Sequence, residues 1–256
     1  MRQARLFVAG EWTDGTTTSD VLDKYTGEPI AVLHHASREQ VERATTAVTD
    51  AQENALPPAH ERARILALAA QLLAERKAAV AETIVAEAGF TVGDTAREID
   101  RAVQTLTLCA EEAGRIHGQM VPLDSSPAGA GRVAFTIRRP VGVVCAITPF
   151  NSPLNTVLHK VGPAIAAGNG VVLKPATYTP MTSEHIVEIL LDAGLPPNLI
   201  ALLNGGGSNV GAWLLEDPRP SFYAFTGSTE VGERIRGTVG LRRSQLEMGS
   251  LASTIV

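Results

Sequence analysis

The residues able to do chemistry in this chain are scattered, and each admits a structural reading beside a functional one. Glu247, in QLEMG, is an acid between Leu246 and Met248. Apolar surroundings would raise its pKa toward the range useful to a general base. An alternating strand would instead turn the same carboxylate to solvent. Asn151, in TPFNSPLN, lies between an apolar run and a helix-like segment. Its amide can cap that helix or donate a hydrogen bond to a developing oxyanion. Lys174 closes VVLK. At the carboxyl end of a parallel strand it stands where such sheets bind ligands, the alternative being a lysine that snorkels out at the sheet edge.

Two glycine turns follow strand-like runs, NGGGSNVG and FTGSTEVG. Glycines there let backbone N–H groups approach a phosphate at a helix start, and they also make ordinary tight turns. Gly205, Gly207 and Gly211 are one residue too wide for the G-x-G-x-x-G fingerprint. Gly227 and Gly232 have the outer spacing of a P-loop, but Glu233 and Arg234 replace its Lys-Ser/Thr pair. Cys145, inside VGVVCAI, and Cys109, on the helical stripe LTLCAEE, read as core packing. The histidines show no ligand spacing, so no metal site is expected.

These residues need elements to position them, and the pattern changes near Pro140. Before it the chain is helix-rich. LFVAGEW reads as a short strand, and Ser37 with Gln40 has capping-box spacing. Pro58 fits the first turn of a helix striped by Ile65, Leu66, Leu68, Ala69, Leu72 and Leu73. A further helix is expected from near Asp94. LDSSPAGAG has loop composition, and RVAFTIRRP alternates as an exposed strand, half of a hairpin. From Val141, VGVVCAITPF, GVVLKPA, LIALLNGGG, FYAFTGS and RSQLEMG read as strands alternating with helices, with STIV as a last strand. The expected fold is therefore α/β, with a Rossmann-like parallel sheet flanked by helices. A helical segment over residues 1–140 should pack on a nucleotide-binding domain over 141–256.

The chain has 256 residues, 45% hydrophobic and 19% charged, with net charge −5. That gives a sizeable core and no basic footprint for nucleic acid. No run of about 18 apolar residues is present, so no membrane span is expected. MRQARLFVAGEW lacks an apolar signal core, and only two cysteines occur. A cytoplasmic, reducing location is the reading.

Taken together, ITPFNSPLN, HKVGPAIAAGNGVVLKPATYTP, AGLPPNLIALLNGGGSNVG, FTGSTEVG and LEMG resemble the aldehyde dehydrogenase superfamily in order and approximate spacing, as does the opening LFVAGEW. The resemblance covers essentially the whole chain and about the first half of the family's usual length. It implies oxidation of an aldehyde by NAD or NADP through a cysteine thioester, which a glutamate-activated water hydrolyses. Asn151 takes the place of the family's oxyanion-hole asparagine and Glu247 that of its general base. Lys174 matches the lysine that contacts the adenosine ribose. Ile147, Thr148, Pro149 and Phe150 line the cofactor cleft, and Gly227 and Ser228 lie under the pyrophosphate. Ala176, Thr177, Gly207, Gly211, Phe225, Thr226, Val231 and Met248 complete the cofactor set. Thr177 stands where many NAD-preferring relatives carry a glutamate that would repel a 2′-phosphate, so NADP use is compatible with it.

The family's ELGGKSP stands here as EMGSLAS. Its catalytic cysteine lies a few dozen residues past the glutamate, in a domain absent from these residues, so the chain reads as truncated and inactive alone. Loss of that domain should expose an apolar patch. RPVGVVCAITPFNSPLN with EIDRAV looks nearest to the lactaldehyde, semialdehyde and phosphonoacetaldehyde dehydrogenase branch. Arg101 then faces an anionic aldehyde, or pairs with Glu98. The resemblance also implies a homo-oligomer in the full-length form, built partly on the hairpin near residue 135. The alternative is a non-enzymatic NAD(P)-binding or scaffold subunit that pairs with a separate catalytic half. A reductase relative sharing the fold fits less well, since it needs no deacylating base.

Overall fold

The computed structural model describes residues 1–253. Five short strands come first: β1 (Arg2–Ala4), β2 (Leu6–Val8), β3 (Glu11–Thr13), β4 (Thr17–Leu22) and β5 (Pro29–His35). Helix α1 (Arg38–Asn54) starts where the capping box places it, with Ser37 and Gln40 exchanging side-chain-to-backbone bonds. Helix α2 (Ala59–Glu75) follows directly on Pro58 and buries Ile65, Leu66, Ala69 and Leu73. Helix α3 (Lys77–Ala88) was not expected. Its alanines lie on the exposed side as well as against the core, so no clear apolar stripe marks it, and Gly89 stops it in the left-handed region. Helix α4 (Val92–Ala113) begins earlier than Asp94 because Thr91 caps it. A two-stranded hairpin then pairs β6 (Met120–Val121) with β7 (Ala134–Phe135).

The remainder alternates as β8 (Val143–Ile147), α5 (Asn155–Ala166), β9 (Gly170–Lys174), α6 (Pro180–Asp192), β10 (Ile200–Leu202), α7 (Ala212–Glu216), β11 (Pro220–Thr226), α8 (Thr229–Val239) and β12 (Arg243–Glu247). The reading of a last strand at 253–256 fails at Ser253, which is irregular, and otherwise falls outside the described residues. One seven-stranded sheet runs β12-β11-β8-β9-β10-β2-β3. Its first five strands are parallel, in the doubly wound order of a Rossmann fold. Strands β2 and β3, from the helix-rich part of the chain, extend it antiparallel.

Alternation decides which core each strand residue enters. Val144, Ala146, Val171, Leu173 and Ala224 face α2, α4, α5 and α6. Val143, Cys145, Val172, Tyr223 and Phe225 face α1, α7 and α8. The sheet is thus helix-covered on both faces, which explains the unbroken apolar runs. Among the described residues no helix is long and apolar enough to cross a membrane.

Candidate functional site

The parallel strands end together, and that edge gathers the candidate residues. Ile147 stands opposite Lys174 on one side and Phe225 on the other, and Thr226 opposite Glu247. From Glu247 to Lys174 the edge crosses three strand spacings, ~14 Å. The order reverses at β8, whose next strand β9 lies on one side and β11 on the other. The loops leaving β8 and β11 therefore diverge, at the usual binding place in such sheets. Thr148 directly follows β8 there, buried, with its hydroxyl unpartnered among the described residues. Its N–H donates to Lys174 O at 3.2 Å. Ile147 and Pro149 are half-buried, and Phe150 is exposed with its ring edge-on to Tyr178.

Lys174 does not snorkel. It is 6% exposed and turns toward the α7 side, its Cε 3.7 Å from where a Cβ on Gly211 would stand. Its Nζ donates to Pro175 O at 3.0 Å, and burial pulls its pKa down to about 8. The turn it meets needs glycine at Gly205: φ is +149°, and a Cβ would come 2.3 Å from Val210 Cγ2. A single wide turn, Gly207–Gly211, leads into α7, and Gly207 faces open space. Gly227 N–H donates to Glu247 O, and the Ser228 hydroxyl caps α8 by accepting from Val231 N. Val231 and Met248 are exposed at this end, with Met248 lying over Gly232. Ala176 and Thr177 are half-buried on the loop into α6. That helix start is held by Glu87, whose carboxylate accepts from Met181 N at 2.9 Å and Thr182 N at 2.7 Å.

The apolar flanks of Glu247 do not bury it. β12 is an edge strand and the carboxylate faces solvent, the second of the two settings that the sequence left open. Its oxygens accept from Gln245 Nε2 at 3.1 Å and Thr226 Oγ1 at 3.4 Å. The Thr226 hydroxyl in turn accepts from Lys160 Nζ at 2.6 Å. Lys160 is 6% exposed, and burial lowers its pKa with Glu247 opposing. His159 is lowered mainly by burial, then by Lys160, while Glu247 raises and Arg101 lowers it. Base candidate and arginine thus share one electrostatic neighbourhood.

Asn151 is exposed and does not cap α5. It lines a cavity of about 510 Å³ with Phe90, Asp94, Arg97 and Arg101. Asp94 holds Arg97 as an ion pair. Arg101 forms no ion pair among the described residues, and the pairing with Glu98 is not made. Glu98 is instead 5% exposed and accepts from Leu154 N at 2.9 Å and Asn155 N at 3.1 Å. Sequence reasoning missed Glu87, Glu98 and Lys160 as parts of the site. Their signal was available: each interrupts an otherwise apolar helical stripe, where a charge needs a partner.

Both cysteines sit as expected in the core. Burial pushes Cys145 up to about 12 and, with Glu112, Cys109 up to about 11, so neither carries a thiolate near neutrality. Among the described residues no group of three or more His, Cys, Asp or Glu could hold a metal ion.

Comparison with known proteins bears on the family and the fold. The aldehyde dehydrogenase family model matches residues 12–256. A 3-sulfolactaldehyde dehydrogenase of Priestia aryabhattai is 45% identical over 256 residues, covering 100% of this chain and 54% of that protein. An aspartate-semialdehyde dehydrogenase of Pseudomonas canavaninivorans is 37% identical, covering 93% of this chain and 50% of that protein. The NADP-dependent glyceraldehyde-3-phosphate dehydrogenase of Bacillus halodurans C-125, solved with NADP, superposes with a TM-score of 0.94 at 34% identity. That match covers 97% of this chain and 53% of the solved one. The chain spans about half the length of the curated relatives it matches. It belongs to the aldehyde dehydrogenase family.

Proposed function

We propose that these residues form the cofactor-binding part of an NAD(P)-dependent dehydrogenase that oxidises a small anionic aldehyde to its acid. One observation carries the reading: Glu247, Thr226, Ile147 and Lys174 follow one another along a single sheet edge, at the point where strand order reverses. That point suits a dinucleotide. Close to it stand a buried Thr148 hydroxyl unpartnered among the described residues, a buried lysine and a glycine turn with open space at Gly207. Lys174 would hold the adenosine ribose, and Gly227, Ser228 and the Gly207–Gly211 turn the pyrophosphate, with Ile147–Phe150 along the cleft wall. Val231, Phe225 and Met248 would flank it. When bound, the nicotinamide accepts the hydride.

The chain's own residues have distinct tasks. Asn151 donates from its amide to the oxygen on which negative charge develops. Glu247, exposed and held by Thr226 and Gln245, takes a proton from the water that releases the acid. Arg101, without an ion-pair partner among the described residues, faces the anionic end of the substrate in the Asn151 cavity. The burial of Cys109 and Cys145 supports a nucleophile supplied from outside these 256 residues. The exposed Met120, Val133, Phe135 and Ile137 on and beside the β6–β7 hairpin support self-association of the full-length form. That similarity to named aldehyde dehydrogenases extends over all of the chain supports an enzyme over a scaffold.

The test is pre-steady-state kinetics on the protein carrying both this region and its cysteine-bearing part. Glu247→Gln should keep a stoichiometric burst of NAD(P)H while steady-state turnover falls about 10²–10⁴-fold, the usual range for a lost general base. Loss of the burst itself, with turnover falling in step, would remove Glu247 from deacylation.

A further inference from the structure

Two helices at the sheet edge begin without a cap of their own. Leu154 before α5 and Thr179 before α6 give no side-chain hydrogen bond to the first turn. Buried first-turn N–H groups nevertheless need acceptors. For α5 the acceptor comes from α4, 56 residues earlier in the chain. One oxygen of Glu98, Oε1, accepts from Leu154 N at 2.9 Å, Asn155 N at 3.1 Å and the Ser152 hydroxyl at 3.1 Å. The Glu98 backbone carbonyl also accepts from Asn155 Nδ2 at 3.0 Å.

Asn151 has no such support. Among the described residues its side chain makes no hydrogen bond, and it is exposed at the cavity wall. What holds it is its neighbour. Ser152 is tied at its hydroxyl to Glu98, and its carbonyl accepts from Thr156 N at 3.1 Å. Helix α4 also carries Arg101, one turn beyond Glu98 and lining the same cavity.

We propose that Glu98 is a positioning residue for the oxyanion donor: its buried carboxylate ties the 151–155 turn to α4, fixing the Asn151 amide at a set distance from Arg101. The anionic end of a substrate and its reacting carbonyl are then registered against one rigid helix. Chain length between those two groups becomes the quantity the site measures. The proposal rests on Asn151 as oxyanion donor, the reading given above.

Two measurements test it separately. In the 256-residue chain, Glu98→Ala should speed amide hydrogen exchange over 150–158 at least tenfold, with the strands unchanged. Glu98→Gln keeps an acceptor oxygen and should restore protection to within about threefold. Ser152→Ala, which leaves the helix cap intact, should loosen only the start of that segment. Unchanged protection in Glu98→Ala would overturn the positioning role. In the protein carrying the cysteine-bearing part, the NAD(P)H burst rate should fall about 30–100-fold in Glu98→Ala, approaching the loss of an oxyanion donor itself. It should recover in Glu98→Gln, and the cofactor KM should stay within twofold throughout. Faster exchange with an unchanged burst rate would reduce Glu98 to a structural cap and overturn its catalytic consequence. A wild-type protein that forms no NAD(P)H from any aldehyde would overturn the dehydrogenase reading instead, and the exchange arm would still decide what Glu98 holds.

Discussion

Replacing Lys174 by methionine should stabilise the fold while weakening the cofactor site. Lys174 is 6% exposed and, among the described residues, its ammonium makes one hydrogen bond, to Pro175 O at 3.0 Å. Burial draws its pKa from 10.5 down to about 8. At 1.36 kcal/mol per unit this is a native-state penalty of about 3 kcal/mol, present while the lysine is charged in both states. Methionine removes it in a similar shape. Leaving Pro175 O unpaired returns about 1 kcal/mol, for a net gain of about 2 kcal/mol. Near neutral pH the melting temperature should rise by about 4–8 °C. The sign with pH is definite. Between about 8 and 10.5 the unfolded wild type binds more protons than the folded, so wild-type stability rises with pH and the mutant's advantage shrinks. Urea unfolding of both proteins at pH 6.5, 8.5 and 10.5 measures this. A destabilised Lys174→Met at pH 6.5, or an advantage that does not diminish with pH, would refute the argument. Cofactor affinity, read by calorimetry, should fall about 10–100-fold, the worth of a charged hydrogen bond.

Three other outcomes follow from the structure. Arg101→Ala should raise KM at least tenfold for aldehydes bearing a negative group and leave uncharged aldehydes within about threefold, because among the described residues Arg101 has no ion pair to lose; equal effects on both substrate types in steady-state assays would contradict this. Thr177→Glu should lower kcat/KM for NADP relative to NAD at least tenfold by placing a carboxylate against the 2′-phosphate, and an unchanged ratio would detach Thr177 from cofactor choice. Gly162→Ala puts a Cβ 2.9 Å from Cys109 Sγ; overpacking should outweigh the helix propensity gained, for a net loss of about 1 kcal/mol, and Cys109→Ala should turn it into a gain in a denaturation double-mutant cycle.

Glu247 shows a choice that local reasoning left open. Its apolar neighbours allowed a buried setting and strand alternation a solvent-facing one; β12 is an edge strand and the carboxylate is exposed. Whether a strand is central or at an edge is a property of the sheet. Lys174 is the opposite case: at a strand end it was free to snorkel, and it is buried because β9 is central and the Gly205–Gly211 turn folds over it.

By itself the sequence determined the alternation of strands and helices after Pro140, the capping box at Ser37 and Gln40, the glycine turns and the order of motifs that places the chain in its family. These depend on residues within a turn or a strand of one another, where periodicity, capping and φ preference act directly. Only the tertiary structure decided which charges are buried and what they hold. Glu98 reaches Leu154 across 56 residues and Glu87 reaches Thr182 across 95. A buried carboxylate is stable only where folded donors converge on it. That convergence exists once α3 and α4 have packed against the starts of α6 and α5, and no local stretch of sequence contains it.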